Sequence, residues 1–224
     1  MIKTNKSGEL IVISGTTCAG KDTVVKSLLS RTNDMMLAVS YTSRPMRDGE
    51  VDGVDYYFVS KEEFEEKIKN GDFLEYAEVH GNYYGTPKAE VKELLETGKD
   101  IILVIDVKGA EQIKKLFPSV ILIFVMAPSM EEVKRRIISR GKETADQIIK
   151  RFQTAYNEIN EYHRYNYVVV NDVLDDAVNK IEAILLASKC RVDRIEEVSV
   201  ENQEEIIHEF LVDKEFVNEK MEIK

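Results

Sequence analysis

Seven consecutive residues near the start of the chain have the types and the spacing that bind a phosphate group. In residues 15–21, the first and sixth residues are glycine and the seventh is lysine, which fits the pattern G-x-x-x-x-G-K. Glycines let backbone N–H groups curve around an anion without a side-chain clash, and the lysine adds a mobile positive charge for the outer phosphates. The pattern predicts a phosphate-binding loop made of Gly15, Thr16, Thr17, Cys18, Ala19, Gly20 and Lys21.

The elements on either side of this loop are those that such a site needs. Residues 10–14 are a short apolar run that predicts a buried strand, and residues 22–30 have apolar side chains at helical spacing. A helix that starts at the loop directs the positive end of its dipole toward the bound anion. The alternative interpretation is an ordinary turn between a strand and a helix.

The residue after the lysine departs from the usual pattern. Most such loops have Ser or Thr at that position, where the hydroxyl binds magnesium, whereas this chain has Asp22 followed by Thr23. Carboxylate oxygens suit Mg²⁺, so Asp22 is a candidate metal ligand, although it would repel the phosphates if no metal screened it. The hydroxyl of Thr23 can still hydrogen-bond a phosphate.

The rest of the chain alternates apolar strands with helices. Further strands are predicted at residues 36–40, 101–105, 120–125 and 167–170, the last of them buried. Helix starts are predicted at Ser60, where Glu63 completes a capping box, at Pro87 and at Ser129. Unbroken apolar strands that alternate with helices are typical of a parallel sheet covered on both faces. The expected fold is an α/β P-loop NTPase core, with a five-stranded parallel sheet flanked by helices.

Composition limits the classes of function. The net charge of −10 over 224 residues argues against a general nucleic-acid binder, although it allows a local basic cleft. Two distant cysteines, Cys18 and Cys190, suggest no disulfide framework and fit a reducing cytoplasm. The start of the sequence has no apolar signal region, and the longest apolar run is too short to span a bilayer. We therefore expect a cytoplasmic protein without nucleic-acid or membrane partners.

A second group of motifs follows the loop in a fixed order. Residues 42–58 read TSRPMRDGEVDGVDYYF, residues 73–77 read FLEYA, and residues 81–86 read GNYYGT. Together with the phosphate loop, these segments resemble the guanylate kinases in order and spacing, over about residues 8–188. The resemblance implies an enzyme that transfers the γ-phosphate of ATP to GMP, with Mg²⁺ as cofactor and with the loop, Asp22 and Thr23 on the ATP side.

The resemblance assigns two sets of residues to GMP. Arginine and tyrosine side chains would grip its phosphate: Arg44, Arg47, Tyr56 and Tyr84. Polar side chains would read its guanine ring: Ser40, Glu75, Thr86 and Asp106. Two arginines give forked hydrogen bonds that suit a dianionic phosphate. Guanine presents N1–H and a 2-amino group side by side, so a carboxylate accepts from both, whereas adenine would leave that carboxylate unpaired.

A third region would close over ATP. The resemblance implies that Arg136, Arg140 and Arg151 contact the phosphates in the closed state and that Asn171 lies near the adenine. With Lys21 and Arg44, these arginines form the expected catalytic set. Phosphoryl transfer requires alignment and charge neutralisation more than covalent help, and a lid that supplies arginines also excludes water.

The expected domain layout divides the chain at residue 188. Residues 1–188 would form a kinase-like domain, with its core at 8–40, 98–128 and 163–188, its GMP-binding region at 41–97 and its lid at 129–162. Residues 189–224 would form an acidic extension, since from Cys190 onward there are 5 Lys/Arg against 11 Asp/Glu. Within the extension, Ile206, Ile207, Phe210 and Leu211 would form an amphipathic helix. It would pack on the core or act as a regulatory or oligomerisation arm.

One further position departs from the family pattern. The family usually has an acid two residues before the guanine-reading aspartate, and this chain has Val104 there. We expect the extra carboxylate of Asp22 to compensate for the missing one; the alternative is a weakened enzyme. Cys18 is expected to be a small packing residue, with oxidative inhibition as the alternative.

Two other functions compete with this interpretation. A related binding module would recognise phosphorylated ligands without turnover, but such modules usually lack the lysine and the lid arginines that this chain keeps as Lys21, Arg140 and Arg151. A kinase of the same fold with another acceptor, such as a sugar phosphate, would need no reader for a purine edge.

Overall fold

The computed structural model describes residues 2–4, 8–79, 81–139 and 145–198. The described strands are β1 Ile2–Thr4, β2 Leu10–Gly15, β3 Met35–Leu37, β4 Tyr41–Thr42, β5 Tyr57–Phe58, β6 Phe73–Val79, β7 Asn82–Pro87, β8 Asp100–Val104, β9 Ile121–Met126, β10 Tyr167–Val170 and β11 Ile195–Val198. The described helices are α1 Lys21–Leu29, α2 Lys61–Asn70, α3 Lys88–Glu96, α4 Val107–Leu116, α5 Met130–Ser139, α6 Ala145–Ile159 and α7 Leu174–Ser188, with short 3₁₀ turns at Tyr162–Arg164 and Val192–Arg194. They belong to two units, one within residues 7–183 and one made from the chain ends, 1–6 and 184–224.

The larger unit is built on a five-stranded parallel sheet in the order β10-β9-β2-β8-β3. Every residue of the central strand β2 is buried, because β2 has a strand on each side and helices over both faces. Leu10 and Val12 face a cluster that includes Val91 of α3 and Ile113 of α4. The sheet and its flanking helices confirm the fold expected from the sequence.

A second sheet of four strands, in the order β5-β4-β7-β6, lies within the predicted GMP-binding region. It contains a hairpin of β6 and β7. On one face the ring of Phe64, from α2, stacks on Phe73 and Tyr83 at centroid distances of 4.6 and 5.2 Å. Helix α2 starts with the predicted capping box of Ser60 and Glu63. The motifs that contain these strands did not predict the sheet.

Helices α5 and α6, in the predicted lid, pack on the phosphate loop. Val133 and Ile137 of α5 and Ala155 of α6 form a buried cluster with Cys18. Cys18 is therefore a packing residue, as expected. The predicted cap of α5 is confirmed, because Ser129 Oγ accepts a hydrogen bond from the N–H of Glu132 at 3.1 Å. Arg140 lies outside the described residues, as does Gly141, where the sequence predicts that this helix ends.

Four local predictions were wrong in detail. Strand β10 is not buried: it lies at the edge of the sheet with three of its four residues exposed, since an edge strand has a neighbour on one side only. Strand β3 ends at Leu37 rather than residue 40. Pro87 is the cap of α3 and not its first residue. The apolar spacing in residues 144–162 predicts a helix with Ile148, Phe152, Tyr156 and Ile159 on one face, but Tyr156 is 59% exposed.

The smaller unit contains an antiparallel pair of strands. β1 pairs with β11, so that Ile2 lies opposite Val198 and Thr4 lies opposite Ile195. A strand from the start of the chain thus pairs with a strand from the acidic extension. The amphipathic helix expected at residues 206–211 lies outside the described residues. None of the described helices is long and apolar enough to cross a membrane.

Candidate functional site

The phosphate loop joins β2 to α1, and its glycines are required by close neighbours. A Cβ atom on Gly15 would lie 1.8 Å from the carbonyl oxygen of Val125 on β9. Gly20 has a φ of +85°, in the left-handed region that favours glycine, and a Cβ there would lie 2.6 Å from Nδ2 of Asn171. Both positions therefore exclude a side chain, which leaves the backbone of the loop free to curve around an anion.

One carbonyl of the loop is held from two sides. The carbonyl oxygen of Ala19 accepts hydrogen bonds from Nδ2 of Asn171 at 2.8 Å and from Nη1 of Arg136 at 3.1 Å. Arg136 also donates to the carbonyl of Asn171 at 2.8 Å and to Glu132 at 2.6 Å. Hydrogen bonds from Arg135 and Arg136 lower the pKa of Glu132 to about 2, so this carboxylate stays charged. The structure brings the predicted residues Arg136 and Asn171 together at the loop.

Two further residues, Lys21 and Cys18, show how the loop is held. Nζ of Lys21 donates to the carbonyls of Gly15 and Thr16 at 3.0 and 3.2 Å. Cys18 has a φ of +61°, the single positive φ among the described residues other than glycine. A non-glycine residue keeps this conformation only when its surroundings impose it, and the burial of Cys18 against Val133 and Ile137 does so.

The carboxylate of Glu158 reaches into the loop, and the sequence analysis did not find it. Its Oε2 accepts a hydrogen bond from the backbone N–H of Thr17 at 2.6 Å, between residues 141 positions apart. Burial raises the pKa of Glu158, and the nearby charge of Lys21 partly offsets this. No local signal distinguishes this acid from others in the chain.

The predicted grip for the acceptor phosphate is assembled around Arg44. This buried arginine forms a forked ion pair with Glu50, at 2.7 Å from Nη1 and 2.6 Å from Nη2, and Nη1 also donates to the carbonyl of Pro45. Its guanidinium lies 5.1 Å from the ring centroid of Tyr56, and the rings of Tyr56 and Tyr84 are 5.9 Å apart. Glu50 stands in the quoted motif, but the sequence analysis gave it no role.

Arg47 and Asp22 border this group. The backbone N–H of Arg47 donates to Glu50 at 2.8 Å, while its side chain is exposed. Burial raises the pKa of Tyr56 to about 12, and the charge of Asp22 adds to the shift. Asp22 on the first turn of α1 is therefore close enough to act on the acceptor side, while Thr23 beside it is exposed.

Three of the four predicted guanine readers lie side by side. Glu75 and Thr86 are paired across β6 and β7, and Oγ1 of Thr86 donates to Oε1 of Glu75 at 2.5 Å. Asp106 caps α4, accepting from the N–H of Gly109 at 2.8 Å. A Cβ on Gly109 would lie 2.4 Å from Oε2 of Glu75 and 3.3 Å from Oδ1 of Asp106, so both carboxylates reach the start of α4.

Burial makes Glu75 an unusual carboxyl group. The residue is only 4% exposed, and this burial, with the charge of Asp106, raises its pKa to about 7, although the hydrogen bond from Thr86 opposes the shift. Ser40 precedes β4, and its carbonyl accepts from the N–H of Tyr57 at 2.9 Å. The part that its side chain plays toward a ligand stays a prediction.

The remaining predicted residues lie on other elements. Arg151 is half-buried on α6. Val104, where the family usually has an acid, ends β8 opposite Ile13 of β2 and so lies beside the strand that leads into the loop.

Comparisons with known proteins agree on one family. A family model described as guanylate kinase matches residues 7–188. The guanylate kinase of Clostridium tetani is 56% identical over 208 residues, which cover 93% of this chain and 100% of that protein. A guanylate kinase of Clostridium perfringens is 54% identical over 212 residues, covering 95% of this chain and 98% of that protein. A crystal structure of guanylate kinase from Anaplasma phagocytophilum matches with a TM-score of 0.73 at 34% identity, covering 86% of this chain and 92% of that one.

We expect the carboxyl group of Glu75 to titrate near pH 7 in the ligand-free protein, against a usual value of 4.5. Because the folded-state pKa is raised, the protonated form is the one that folding favours, and the stability it contributes is lost as the pH rises from about 4.5 to about 7. Carboxyl ¹³C shifts in NMR would report the midpoint, with Glu75→Gln to assign the signal. Thr86→Val should raise the midpoint further, because it removes a hydrogen bond to the ionised form. A midpoint below pH 5 would contradict this.

Proposed function

Since the chain belongs to the guanylate kinase family and transfers the γ-phosphate of ATP to GMP, we propose that Glu75 selects the guanine ring while Arg44 and the phosphate loop align the two phosphates. The observation that supports this division is the hydrogen bond from Thr86 to the buried carboxylate of Glu75, with Asp106 beside it.

The guanine reader works as an acceptor when Glu75 is ionised. Its carboxylate then takes N1–H and the 2-amino group of guanine, while Thr86 holds Oε1 in place. These two hydrogen bonds are charge-assisted and lie in a dry pocket, where they are stronger than in water. Adenine would present a lone pair at N1 to the same oxygen, and the unpaired buried carboxylate would then cost binding energy.

The acceptor phosphate would take the side of Arg44 that Glu50 leaves open. Glu50 uses one N–H of Nη1 and one of Nη2, and Pro45 uses the second N–H of Nη1. In the described part of the chain nothing accepts from Nε, so Nε and the second hydrogen of Nη2 can donate to two phosphate oxygens. The hydroxyl of Tyr56 stays protonated, since its pKa is about 12, and can donate as well. Tyr84 and Arg47 would complete the grip.

On the donor side, the chain holds the loop and supplies the charge. Arg136 and Asn171 fix the Ala19 carbonyl, so the curve of the loop persists while Lys21 leaves the carbonyls of Gly15 and Thr16 to reach the outer phosphates of ATP. Arg140 and Arg151 would add positive charge as the lid closes, and Asn171 would lie near the adenine. The GMP phosphate is already an anionic nucleophile, so in-line transfer needs no general base.

Mg²⁺ fits the residues present, with Asp22 as its proposed protein ligand. Among the described residues, no three His, Cys, Asp or Glu side chains converge on one point. This agrees with Mg²⁺, which usually takes one or two carboxylates and otherwise phosphate oxygens and water. When bound, the ion would neutralise charge between donor and acceptor phosphates. Asp22 is exposed at the start of α1 and acts on Tyr56, so it lies toward the acceptor side.

Lys21, Arg140 and Arg151 argue against a binding module without turnover, since such modules usually lack these residues. We propose that the enzyme works in the cytoplasm, where the exposed thiol of Cys190 would stay reduced. Residues 189–224 are proposed to be an extension with a separate role.

Gly109→Ala should weaken the binding of GMP selectively. The added methyl group would lie 2.4 Å from Oε2 of Glu75 and displace it, and the loss of one charge-assisted hydrogen bond should raise the KM for GMP about 10- to 100-fold. Alanine suits a helix better than glycine, so the fold should persist. Steady-state kinetics would measure the effect. The control is Lys108→Ala, which changes the exposed neighbour of Gly109 and should leave the KM for GMP unchanged. An unchanged KM for GMP would refute the role of Glu75.

Asp22→Ser should lower activity and raise the Mg²⁺ concentration needed for half-maximal rate, by roughly tenfold. The substitution removes the proposed carboxylate ligand and leaves a hydroxyl, while Val104 supplies no acid. Adding Val104→Glu to this variant should restore part of the activity if the two departures compensate. The reaction rate of each variant, measured at increasing Mg²⁺ concentration, would test both expectations. Activity of Asp22→Ser equal to or above that of the parent would overturn the proposal.

A further inference from the structure

A carboxylate of the lid accepts a hydrogen bond from the backbone of the phosphate loop. Oε2 of Glu158 lies 2.6 Å from the backbone nitrogen of Thr17, and the charge of Lys21 acts on the same carboxylate. Thr17 belongs to the run of loop residues whose N–H groups surround a phosphate in this motif. A carboxylate offers such a donor the same charge and acceptor geometry as a phosphate oxygen. Glu158 therefore makes, within the chain, the contact that a donor phosphate would make.

The face of α6 that carries Glu158 is the face that meets the loop. Ala155, three residues earlier, is fully buried and packs in one cluster with Cys18, the neighbour of Thr17. Arg151 lies four residues before Ala155 and seven before Glu158, so the three form one stripe along the helix. Arg151 and Glu158 are separated by about 10 Å along the axis. The stripe thus presents opposite charges on either side of its contact with the loop.

We propose that Glu158 is a positioning residue that fills the donor-phosphate seat until ATP displaces it, and that Arg151 takes its place beside the phosphates when the lid closes. The proposal rests on the donor site described above. ATP must break the bond between Thr17 and Glu158, and its charge then repels the carboxylate. The same repulsion moves α6 away from the arrangement seen here. Since Arg151 lies on the same stripe, about 10 Å from Glu158 along the axis, a shift along the helix axis exchanges a negative for a positive charge at the loop.

The exchange of Glu158 for Arg151 links the position of the lid to whether the phosphate loop holds ATP. With Glu158 seated, the N–H of Thr17 has a partner and Lys21 stays on the loop carbonyls, so a lone small anion gains little by entering. A triphosphate makes enough contacts to compete. The cost of displacing Glu158 is subtracted from the binding energy of ATP, and it appears in ATP affinity rather than in the rate of phosphoryl transfer.

Glu158→Gln tests this directly, because the amide keeps the size of the side chain but is a weaker, neutral acceptor. The dissociation constant of a non-hydrolysable ATP analogue, measured by calorimetry, should fall about 3- to 30-fold, while kcat should not rise and the KM for GMP should not change. Glu161→Gln, which alters an acid that pairs with Arg164 at 3.0 Å, is the matched control and should leave the ATP constant unchanged. Thermal unfolding of each variant would show that it is folded.

A second readout does not depend on turnover. The amide proton of Thr17 should resonate downfield in the ligand-free protein, stay there with the ATP analogue, and move upfield only in ligand-free Glu158→Gln. Arg151→Gln should lower kcat yet leave the ligand-free Thr17 signal unchanged.

The proposal would be overturned if the dissociation constant of the ATP analogue were unchanged or higher in Glu158→Gln. It would also be overturned if the amide proton of Thr17 did not shift in that variant. GMP-dependent turnover of the parent enzyme would in that case still support the proposed function, so the two failures can be told apart.

Discussion

The proposed function depends on one constraint: the backbone N–H groups of a short loop must surround an anion, and the chain must hold them in that curve. Several distant segments meet at the loop for this purpose. Val125 closes off Gly15, Asn171 and Arg136 hold the Ala19 carbonyl, and the lid cluster fixes Cys18 in a conformation that few non-glycine residues adopt. The parallel sheet brings these segments together, because the ends of β2, β9 and β10 lie at one edge.

We propose that the acceptor side follows a different principle, in which the burial of Glu75 creates selectivity. Taking the carboxylate of Glu75 out of water raises its pKa and makes it costly to leave unpaired. In this proposal, only a base that donates two adjacent hydrogen bonds offsets that cost. Arg44 is likewise prepared in advance, since Glu50 fixes its orientation before a phosphate arrives. The charge of Asp22, at the start of α1, acts on Tyr56, which supports our proposal that donor and acceptor bind in one site.

Local patterns in the sequence predicted the features that local physics determines. The loop, the five-stranded sheet and the caps of α2 and α5 follow from glycine spacing, apolar periodicity and capping residues. Periodicity alone did not distinguish the edge strand β10 from a buried one. The guanine readers came from the resemblance to a family, because Glu75 and Asp106 stand in different elements and no spacing connects them. Glu158 was missed for the same reason: its partner Thr17 is 141 residues away.

The central claim is that a buried carboxylate selects the acceptor base, and the most direct test is the rate of ATP consumption with different monophosphates. The account predicts kcat/KM for GMP roughly 10⁴-fold above that for AMP. Inosine monophosphate, which keeps N1–H but lacks the 2-amino group, should fall between the two. Turnover of AMP within about tenfold of GMP would contradict the account, since that could not happen if the base had to satisfy Glu75.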